Sequence, residues 1–282
     1  MKQEAWRPIL SHVFLLLALA ATLFPAAWVL GASMKEGQTL DTAHMFPEHW
    51  TLSHYHELFT QTLFNTWMAN TLYLCVVTCT ATLVIASFAG YAFSRFKFIG
   101  KTYGLLTMLL LQVFPSSMAM VATFKLLLVV GRLTGGWIGL NTLNGLALVY
   151  TGANIPFNTW MIKGYVDSLP KELEESALLD GATPTQTFLR VILPLMTPIL
   201  AVVALFSFIL PYADFLFPSI LMTGQEKFTL AVGLHSFISG NFEANWTQFA
   251  AASMVGAIPI LCLFFGLQRF LVEGLTKGAV KG

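Results

Sequence analysis

Acidic residues in this chain concentrate in one short segment, which makes that segment the strongest candidate for a function. It contains four acids and one lysine: Lys171, Glu172, Glu174, Glu175 and Asp180. Because carboxylates are costly to bury without partners, such a cluster indicates a surface exposed to water or to another protein. We therefore interpret the segment as a recognition surface.

A second cluster, His54–Glu57, has the residue types of a metal site. His54 and His56 are only two positions apart, so they do not share one face of a helix. The three cysteines all lie in apolar stretches without the spacing of metal ligands: Cys75, Cys79 and Cys262. We expect packing roles for the cysteines and no metal site on this chain.

The composition places the chain in a membrane. Of its 282 residues, 56% are hydrophobic and 10% are charged, whereas soluble domains carry about 25% charged residues. Backbone polar groups inside a bilayer must be satisfied internally, so long apolar stretches fold as helices. We predict one all-α, polytopic membrane domain covering residues 1–282. The net charge of +1 says nothing about nucleic acid, but the chain has no basic block, and we expect no nucleic-acid partner.

Six stretches are long enough to cross a bilayer, which takes about 20 mostly apolar residues. They are Ile9–Leu30, Trp67–Tyr91, Tyr103–Phe124, Asn144–Ile162, Val191–Phe217 and Phe249–Phe270. The first resembles a signal peptide but exceeds the usual core of about 7–15 residues, so we interpret it as a retained helix. Asn154, Pro156 and Asn158 interrupt the fourth, which should therefore border protein or a water-filled cavity.

The distribution of basic residues sets the orientation, because cytoplasmic loops carry an excess of Lys and Arg. Six spans place both termini on one side of the membrane. Eleven of the 15 Lys and Arg residues fall on that side: Lys2, Arg7, Arg95, Lys97, Lys101, Lys163, Lys171, Arg190, Arg269, Lys277 and Lys281. Four fall on the other side: Lys35, Lys125, Arg132 and Lys227. We therefore predict that both termini and the acidic segment are cytoplasmic.

Turn and cap signals divide residues 170–194 into two helices separated by a sharp bend. A proline precedes the first helix, Lys171–Asp180, and its acidic residues favour the positive end of the helix dipole. Gly181 is a good terminator because glycine readily adopts a positive φ. Thr183–Gln186 matches a capping box with Pro184 at the first helical position. A second helix should start there and continue into the fifth span.

The first of these helices carries small residues beside leucines: Ser176, Ala177, Leu178 and Leu179. Small residues permit the close approach of a partner, and leucines supply apolar area to bury. The alternative is an amphipathic helix that lies on lipid headgroups. Acidic residues disfavour that alternative, because the cytoplasmic leaflet is itself anionic. We favour docking of a partner protein.

The segment resembles the cytoplasmic signature of ABC importer permeases, E-A-A, three residues, G, nine residues, I-x-L-P. Here it reads Glu175-Ser176-Ala177, then Gly181, then Val191-Ile192-Leu193-Pro194, with Ser and Val as conservative departures. The tail GLTKGAVKG, the stretch YAFSRFKFIGK and TLAVGL at residues 229–234 are similar to maltose-type (MalG-like) permease subunits. The resemblance covers nearly the whole chain.

The resemblance implies the partners of an ABC importer permease. Such a permease pairs with a second, related (MalF-like) permease as a heterodimer, and two ATPase subunits dock beneath them. An extracytoplasmic sugar-binding protein delivers the oligosaccharide substrate. The chain has no G-x-x-x-x-G-K-[ST] loop, so ATP and Mg²⁺ belong to the partner ATPase, and this chain is a non-catalytic subunit without a cofactor. The implied location is the bacterial or archaeal inner membrane, among membrane lipid.

The resemblance also assigns roles to residues in three segments. The bent coupling helix, which an ATPase receives in a surface cleft, comprises Glu174, Glu175, Ser176, Ala177, Asp180, Gly181, Leu193 and Pro194. The tail 274–282 would lie between the ATPase subunits through Gly274, Lys277, Gly278 and Lys281, the alternative being a frayed end. The outer loop 223–245 would reach the binding protein through Gly224, Ser239, Gly240, Asn241 and Phe242. That loop could instead be a re-entrant hairpin that seals an outer gate.

Asp214 is the only acid within a predicted span. Ionisable residues at membrane depth face a cavity or a partner by default. With Tyr212 and Phe215 beside it, Asp214 could meet the hydroxyls and the face of a sugar in the substrate path. Alternatively, it lies near the outer end of the helix and is solvated.

Two other classes of membrane protein are alternatives to a permease subunit. An ion-coupled secondary sugar transporter usually shows paired repeats and several intramembrane charges, and one acid is few for ion coupling. A polytopic membrane enzyme would need a nucleophile and a base at membrane depth. We predict a permease for maltose and malto-oligosaccharides, with galacto-oligosaccharides and other glycosides left open.

Overall fold

The computed structural model describes residues 6–39, 47, 49–239 and 244–279. Within these residues the chain is almost entirely helical, and extended pairing is limited to a single antiparallel bridge between Lys35 and Trp50. The α-helices are α1 (Trp6–Ser33), α2 (Ser53–Gln61), α3 (Phe64–Arg95), α4 (Lys101–Leu111), α5 (Met120–Leu133), α6 (Leu143–Asp167), α7 (Glu172–Leu179), α8 (Pro184–Thr187), α9 (Leu193–Leu195), α10 (Thr197–Ala213), α11 (Leu216–Leu221), α12 (Leu230–Ser236) and α13 (Trp246–Ala279). The all-α prediction is confirmed.

Three of the described helices are long and apolar enough to cross a membrane, and a bent pair could supply a fourth crossing. The three are Leu10–Ser33, Phe64–Arg95 and Trp246–Phe270. They contain the second and sixth predicted spans and the first from Leu10 onwards. The bent pair is Pro184–Leu195 with Thr197–Ala213, at an angle of 76°. The fourth predicted span lies in α6, which is 25 residues long but interrupted by polar residues.

Two of the predicted spans are not continuous helices. The stretch Tyr103–Phe124 divides into α4 and α5, with a 3₁₀ turn at Ser116–Ala119 between them. Pro115 precedes that turn, and proline disfavours helical backbone in the residue before it. The stretch Val191–Phe217 ends as a helix at Ala213, because Asp214 takes an extended backbone conformation.

The chain divides into two compact units, Met1–Asn65 with Gly233–Ile258, and Thr66–Val232 with Pro259–Gly282. In the first unit the hydroxyls of Ser33 and Tyr55 form a hydrogen bond of 2.7 Å. The Nε2 of His54 donates to the carbonyl of Lys35 at 2.8 Å. Across the described residues no group of three or more His, Cys, Asp or Glu side chains could hold a metal ion.

The second unit is built on α3 and α6, which run in the same direction. Two apolar clusters lie along this pair. One contains Leu74, Leu127, Leu146, Ala147, Tyr150, Leu221 and Met222. The other contains Ala86, Tyr91, Ile162, Val166, Phe188, Ile192, Met196, Ile199 and Val203. The helices approach closely at Gly90, where a Cβ atom would lie 2.5 Å from the Cγ2 of Ile162. This contact places the ends of α3 and α6 side by side.

Buried polar side chains lie between the two apolar clusters. Asn154 and Asn158 on α6 are both buried, and Asn158 donates to the backbone carbonyl of Asn154 at 2.8 Å. It also reaches the hydroxyl of Ser207 on α10 at 3.5 Å. The polar residues of the fourth predicted span therefore face protein, as predicted from their cost in lipid.

Candidate functional site

The acidic segment forms α7, and its last turn closes as predicted. The amide of Gly181 donates to the carbonyl of Leu178, and the amide of Ala182 donates to that of Ala177, both at 3.0 Å. These two bonds make a Schellman motif, which satisfies carbonyls that a helix end leaves unpaired. Gly181 has a φ of 85°, the left-handed conformation that the motif requires. The acidic helix therefore ends at a turn centred on Gly181.

The second helix begins with the predicted capping box. The Thr183 hydroxyl accepts from the amide of Gln186 at 3.3 Å, and the Gln186 side chain accepts from the amide of Thr183 at 2.8 Å. The helix then widens into a π-turn over Phe188–Ile192 before α9. It bends by 76° at Met196, where α10 begins with a proline in its first turn. The fifth predicted span therefore begins in the π-turn and α9, which are joined at an angle to α10.

The two faces of α7 differ in exposure. Glu175, Ser176 and Asp180 are exposed, and so are three leucines: Leu173, Leu178 and Leu179. Leu179 has 89% of its surface accessible. Leucines next to carboxylates on a short exposed helix form a surface that buries apolar area only when a partner covers it. Ala177 and Glu174 lie on the other, half-buried face.

Glu174 is joined to the C-terminal end of α3 by two side chains. Its Oε1 accepts from the Nε of Arg95, and its Oε2 accepts from the Tyr91 hydroxyl at 2.9 Å. The side chains of Arg95 and Glu174 are only 7% and 13% exposed. Arg95 also donates to the carbonyl of Leu169, which precedes α7, at 3.0 Å. One guanidinium therefore holds both the acidic helix and the chain that leads into it.

The end of α6 is joined to the end of α3 by a second set of polar contacts. The Ser94 hydroxyl donates to Asp167 at 2.5 Å, and Lys163 pairs with the other oxygen of the same carboxylate. Partial burial opposes ionisation of Asp167, but the hydrogen bonds from Lys163 and Ser94 outweigh it and lower the pKa of Asp167. The carboxylate of Asp167 therefore joins the end of α6 to Ser94 near the end of α3.

The chain after α7 packs into the apolar cluster beside these contacts. Phe188 and Ile192 of the π-turn are buried. The ring of Phe188 lies 4.7 Å from that of Tyr91, measured between centroids. The Tyr165 hydroxyl on α6 donates to the carbonyl of Leu195 in α9 at 3.1 Å. Tyr91 thus contacts the segment on both sides of its bend, through its hydroxyl at Glu174 and through its ring at Phe188.

Of the coupling residues predicted from sequence, Leu193 and Pro194 fall in α9, after the π-turn. Sequence reasoning missed Tyr91 and Arg95, which contact Glu174. Arg95 was counted only as a cytoplasmic charge. The available signal was that Arg95 closes a predicted span at the end that the charge distribution assigns to the same side as the acidic helix.

Asp214 lies at the break between α10 and α11, and both of its carboxylate oxygens are engaged within the chain. Oδ2 accepts from the Tyr150 hydroxyl of α6 at 2.7 Å. Oδ1 accepts from the amide of Leu216, at the start of α11, at 2.9 Å. Tyr212 is 6% exposed and stacks on Phe208, whereas 38% of Phe215 is exposed. Of the three residues expected in the substrate path, Phe215 is the most open.

The outer loop is anchored to the start of α3 over residues 225–230. The Trp67 indole donates to the carbonyl of Gln225 at 2.8 Å, and Asn70 donates to the carbonyls of Glu226 and Phe228 at 2.8 and 3.0 Å. Gly224, just before this anchor, has a φ of 89°. Ser239 is exposed. The other three loop residues predicted from sequence lie outside the described residues: Gly240, Asn241 and Phe242.

The predicted C-terminal tail continues a long helix. The backbone of α13 is helical to Ala279 and includes Gly274, Lys277 and Gly278, while Lys281 lies outside the described residues. Glycine is a poor helix former, so two glycines in the last turns lower the intrinsic stability of this end.

Comparison with known proteins identifies the family. Residues 82–277 match the family described as binding-protein-dependent transport system inner membrane component. The chain is 39% identical to the galactooligosaccharides transport system permease protein GanQ of Bacillus subtilis, over 95% of this chain and 94% of that protein. It is 36% identical to the maltodextrin transport system permease protein MdxG of the same organism, over 97% and 96%. With MalG of Salmonella typhimurium, a maltose/maltodextrin transport system permease protein, the identity is 37% over 100% and 98%.

Solved structures show the same fold. A bacterial ABC transporter involved in the import of the acidic polysaccharide alginate superposes with a TM-score of 0.79 at 22% identity, over 95% of this chain and 98% of that chain. The MetNI methionine ABC transporter in an inward-facing conformation gives a TM-score of 0.57, over 75% of this chain and 95% of that chain. The chain therefore belongs to the family of binding-protein-dependent transport system inner membrane components, and its resemblance to maltose-type permeases of ABC importers is confirmed.

Proposed function

We propose that the chain is the permease subunit of an ATP-driven, binding-protein-dependent oligosaccharide importer and forms half of its translocation path. The exposed face of α7 carries this proposal, because the leucines and acids there are presented on a helix whose end is fixed by the Gly181 turn. Relatives that match over nearly their whole length are permeases for galactooligosaccharides, maltodextrin and maltose. Malto-oligosaccharides are the proposed substrates, and galacto-oligosaccharides are the alternative.

The proposed partners follow from the surfaces of the chain. An ATPase subunit binds the exposed face of α7 through Glu175, Ser176 and the neighbouring leucines, and a second ATPase binds an equivalent helix on a related permease. The tail of α13 extends towards the ATPases. The outer loop 223–245 faces an extracytoplasmic sugar-binding protein. ATP and Mg²⁺ bind the ATPase subunits, and this chain supplies no group to hydrolysis.

The mechanism we propose for this chain is mechanical. Movement of the ATPase displaces α7, and the Schellman turn and the capping box transmit the displacement to α8. The π-turn residues Phe188 and Ile192 are packed against α3 and α6, so the displacement reaches α10 through the bend at Met196. Closely packed interiors transmit such shifts because their side chains have little free volume to absorb them. At the far end of α10, the break at Asp214 and Phe215 is the proposed substrate-facing position.

Uptake assays on the purified complex test this function. Proteoliposomes that contain this chain, a MalF-like permease, the ATPase and the binding protein should accumulate labelled maltodextrin only with ATP inside. Omitting the binding protein should abolish uptake. Uptake that stops with a proton uncoupler while ATP stays high would instead identify an ion-coupled transporter and overturn the proposal.

We propose six membrane crossings with cytoplasmic termini. Four are the three long apolar helices and the bent pair. The other two are α6 and the pair formed by α4 and α5. Single cysteines at Ile99 and Ser239 test this orientation, because both positions are exposed. The native cysteines are first replaced by alanine, since Cys262 is exposed. In intact cells a membrane-impermeant thiol reagent should label the cysteine at 239 and spare the one at 99. The reverse pattern would refute the proposed orientation.

A further inference from the structure

We infer that the two adjacent glutamates of the acidic helix have different tasks, and that Glu174 positions the helix for coupling from inside the permease. This inference rests on the proposed function and deepens it. Glu175 is exposed and available to an ATPase. The carboxylate of Glu174, one position earlier, is turned towards α3, where Arg95 and Tyr91 bind its two oxygens.

The burial of the pair makes it more than a surface ion pair. Exposed pairs contribute little to stability, because water screens the charges and the side chains lose freedom. The Arg95 and Glu174 side chains are 7% and 13% exposed, so removing one partner leaves the other charge without compensation. Two hydrogen bonds to different donors also fix the direction of the carboxylate.

The residues around the pair show what it connects. Arg95 is the last residue of α3 and donates to the carbonyl of Leu169 as well as to Glu174. It therefore joins a long apolar helix to both the entry and the first turn of α7. Tyr91 adds a second connection, because its ring packs on Phe188 after the bend. We propose that this Arg95–Glu174–Tyr91 latch makes α3 and the acidic helix move as one body when the ATPase moves.

The latch could instead serve folding alone. The two roles predict different amounts of sugar imported per ATP hydrolysed. A latch needed only for folding would reduce the amount of assembled complex and leave the sugar imported per ATP unchanged. A latch that positions the helix would reduce the sugar imported per ATP in complexes that do assemble. The ratio of transport to hydrolysis, measured on purified complex, therefore separates the two.

The test compares Glu174→Gln with Glu36→Gln, which removes the same charge from an exposed position outside the acidic segment. We expect Glu174→Gln to lower the sugar imported per ATP at least tenfold, and Glu36→Gln to match the parent. Tyr91→Phe removes one of the two hydrogen bonds and should give a smaller loss in the same ratio. Exchanging the charges in an Arg95→Glu, Glu174→Arg double variant should restore the ratio well above that of Glu174→Gln.

Three outcomes would overturn the inference. The first is a Glu174→Gln complex that imports as much sugar per ATP as Glu36→Gln. The second is a reduced yield of complex with an unchanged ratio in both Glu174→Gln and Tyr91→Phe. The third is a complex that fails to assemble with Glu174→Gln and is not recovered by the exchanged pair. If the parent complex itself shows no ATP-driven sugar uptake, the proposed function fails, which is a different result from any of these.

Discussion

Replacing Gly181 with valine is expected to lower ATP-driven transport about tenfold. Gly181 holds a φ of 85°, and nothing lies within 4 Å of the position that its Cβ would occupy. The penalty therefore comes from the backbone alone, at roughly 1–2 kcal/mol for a residue forced into the left-handed region. About 1.4 kcal/mol corresponds to a factor of ten in an equilibrium constant. The ratio of the bent form, which an ATPase can bind, to other conformations of the turn therefore falls about tenfold.

Two matched variants separate backbone strain from added bulk. Gly181→Asn should retain most of the transport, because asparagine tolerates a positive φ better than other residues with a side chain. Gly164→Val adds the same side chain at an exposed glycine of α6, where no atom lies within 4 Å of the new Cβ and the backbone is helical. It should transport like the parent. Parental transport by Gly181→Val would show that coupling does not depend on this turn.

Replacing Asp214 with alanine is expected to destabilise the second unit by about 2–4 kcal/mol. The substitution removes the side-chain acceptor at the start of α11, which costs about 1 kcal/mol. It also leaves the hydroxyl of Tyr150, a side chain 2% exposed, without the carboxylate that accepts from it, which costs about 1–3 kcal/mol. The measurement is the denaturation midpoint of the purified complex, together with uptake at a fixed amount of complex.

Asp214→Asn and Tyr150→Phe distinguish a structural role from contact with sugar. Asparagine keeps an oxygen for the amide of Leu216 and removes the charge, whereas Tyr150→Phe removes the hydrogen bond and leaves the charge. If Asp214 only holds the break between α10 and α11, neither variant changes the relative uptake of maltodextrin and galacto-oligosaccharide. If Asp214 binds sugar, Asp214→Asn changes that preference and Tyr150→Phe does not. An unchanged preference in both variants would withdraw Asp214 from the substrate path.

Local features of the acidic segment were predictable from sequence because their interactions join residues a few positions apart. The capping box at Thr183 and the Gly181 turn depend on backbone groups within one helical turn, and both are present as predicted. The family was predictable for the same reason, since its signature occupies residues 175–194 of one continuous segment. The all-α class followed from composition, because lipid leaves the backbone few other ways to satisfy its polar groups.

The breaks in the predicted spans were harder to infer, because apolar composition does not distinguish a straight helix from a broken one. Between α4 and α5 the decisive residue is Pro115, which disfavours helical backbone in the residue before it. At Asp214 the helix ends because the carboxylate binds the amide of Leu216 and the hydroxyl of Tyr150, a residue 64 positions away. A contact over that separation leaves no periodic signal in the sequence.

Glu174 and Glu175 also differ through a contact between residues that are distant in the sequence. The sequence by itself determined that two adjacent glutamates lie in the first turn of a short helix, because the dipole and the cap depend on neighbouring residues. Only the tertiary structure decided which of them is exposed and which is half-buried, because that depends on where α3 ends relative to α7. The packing of Gly90 against Ile162 brings Arg95, 79 positions from Glu174, to within hydrogen-bonding distance. Because the pair is buried, loss of either residue would leave the other charge away from water and without a partner, which is destabilising.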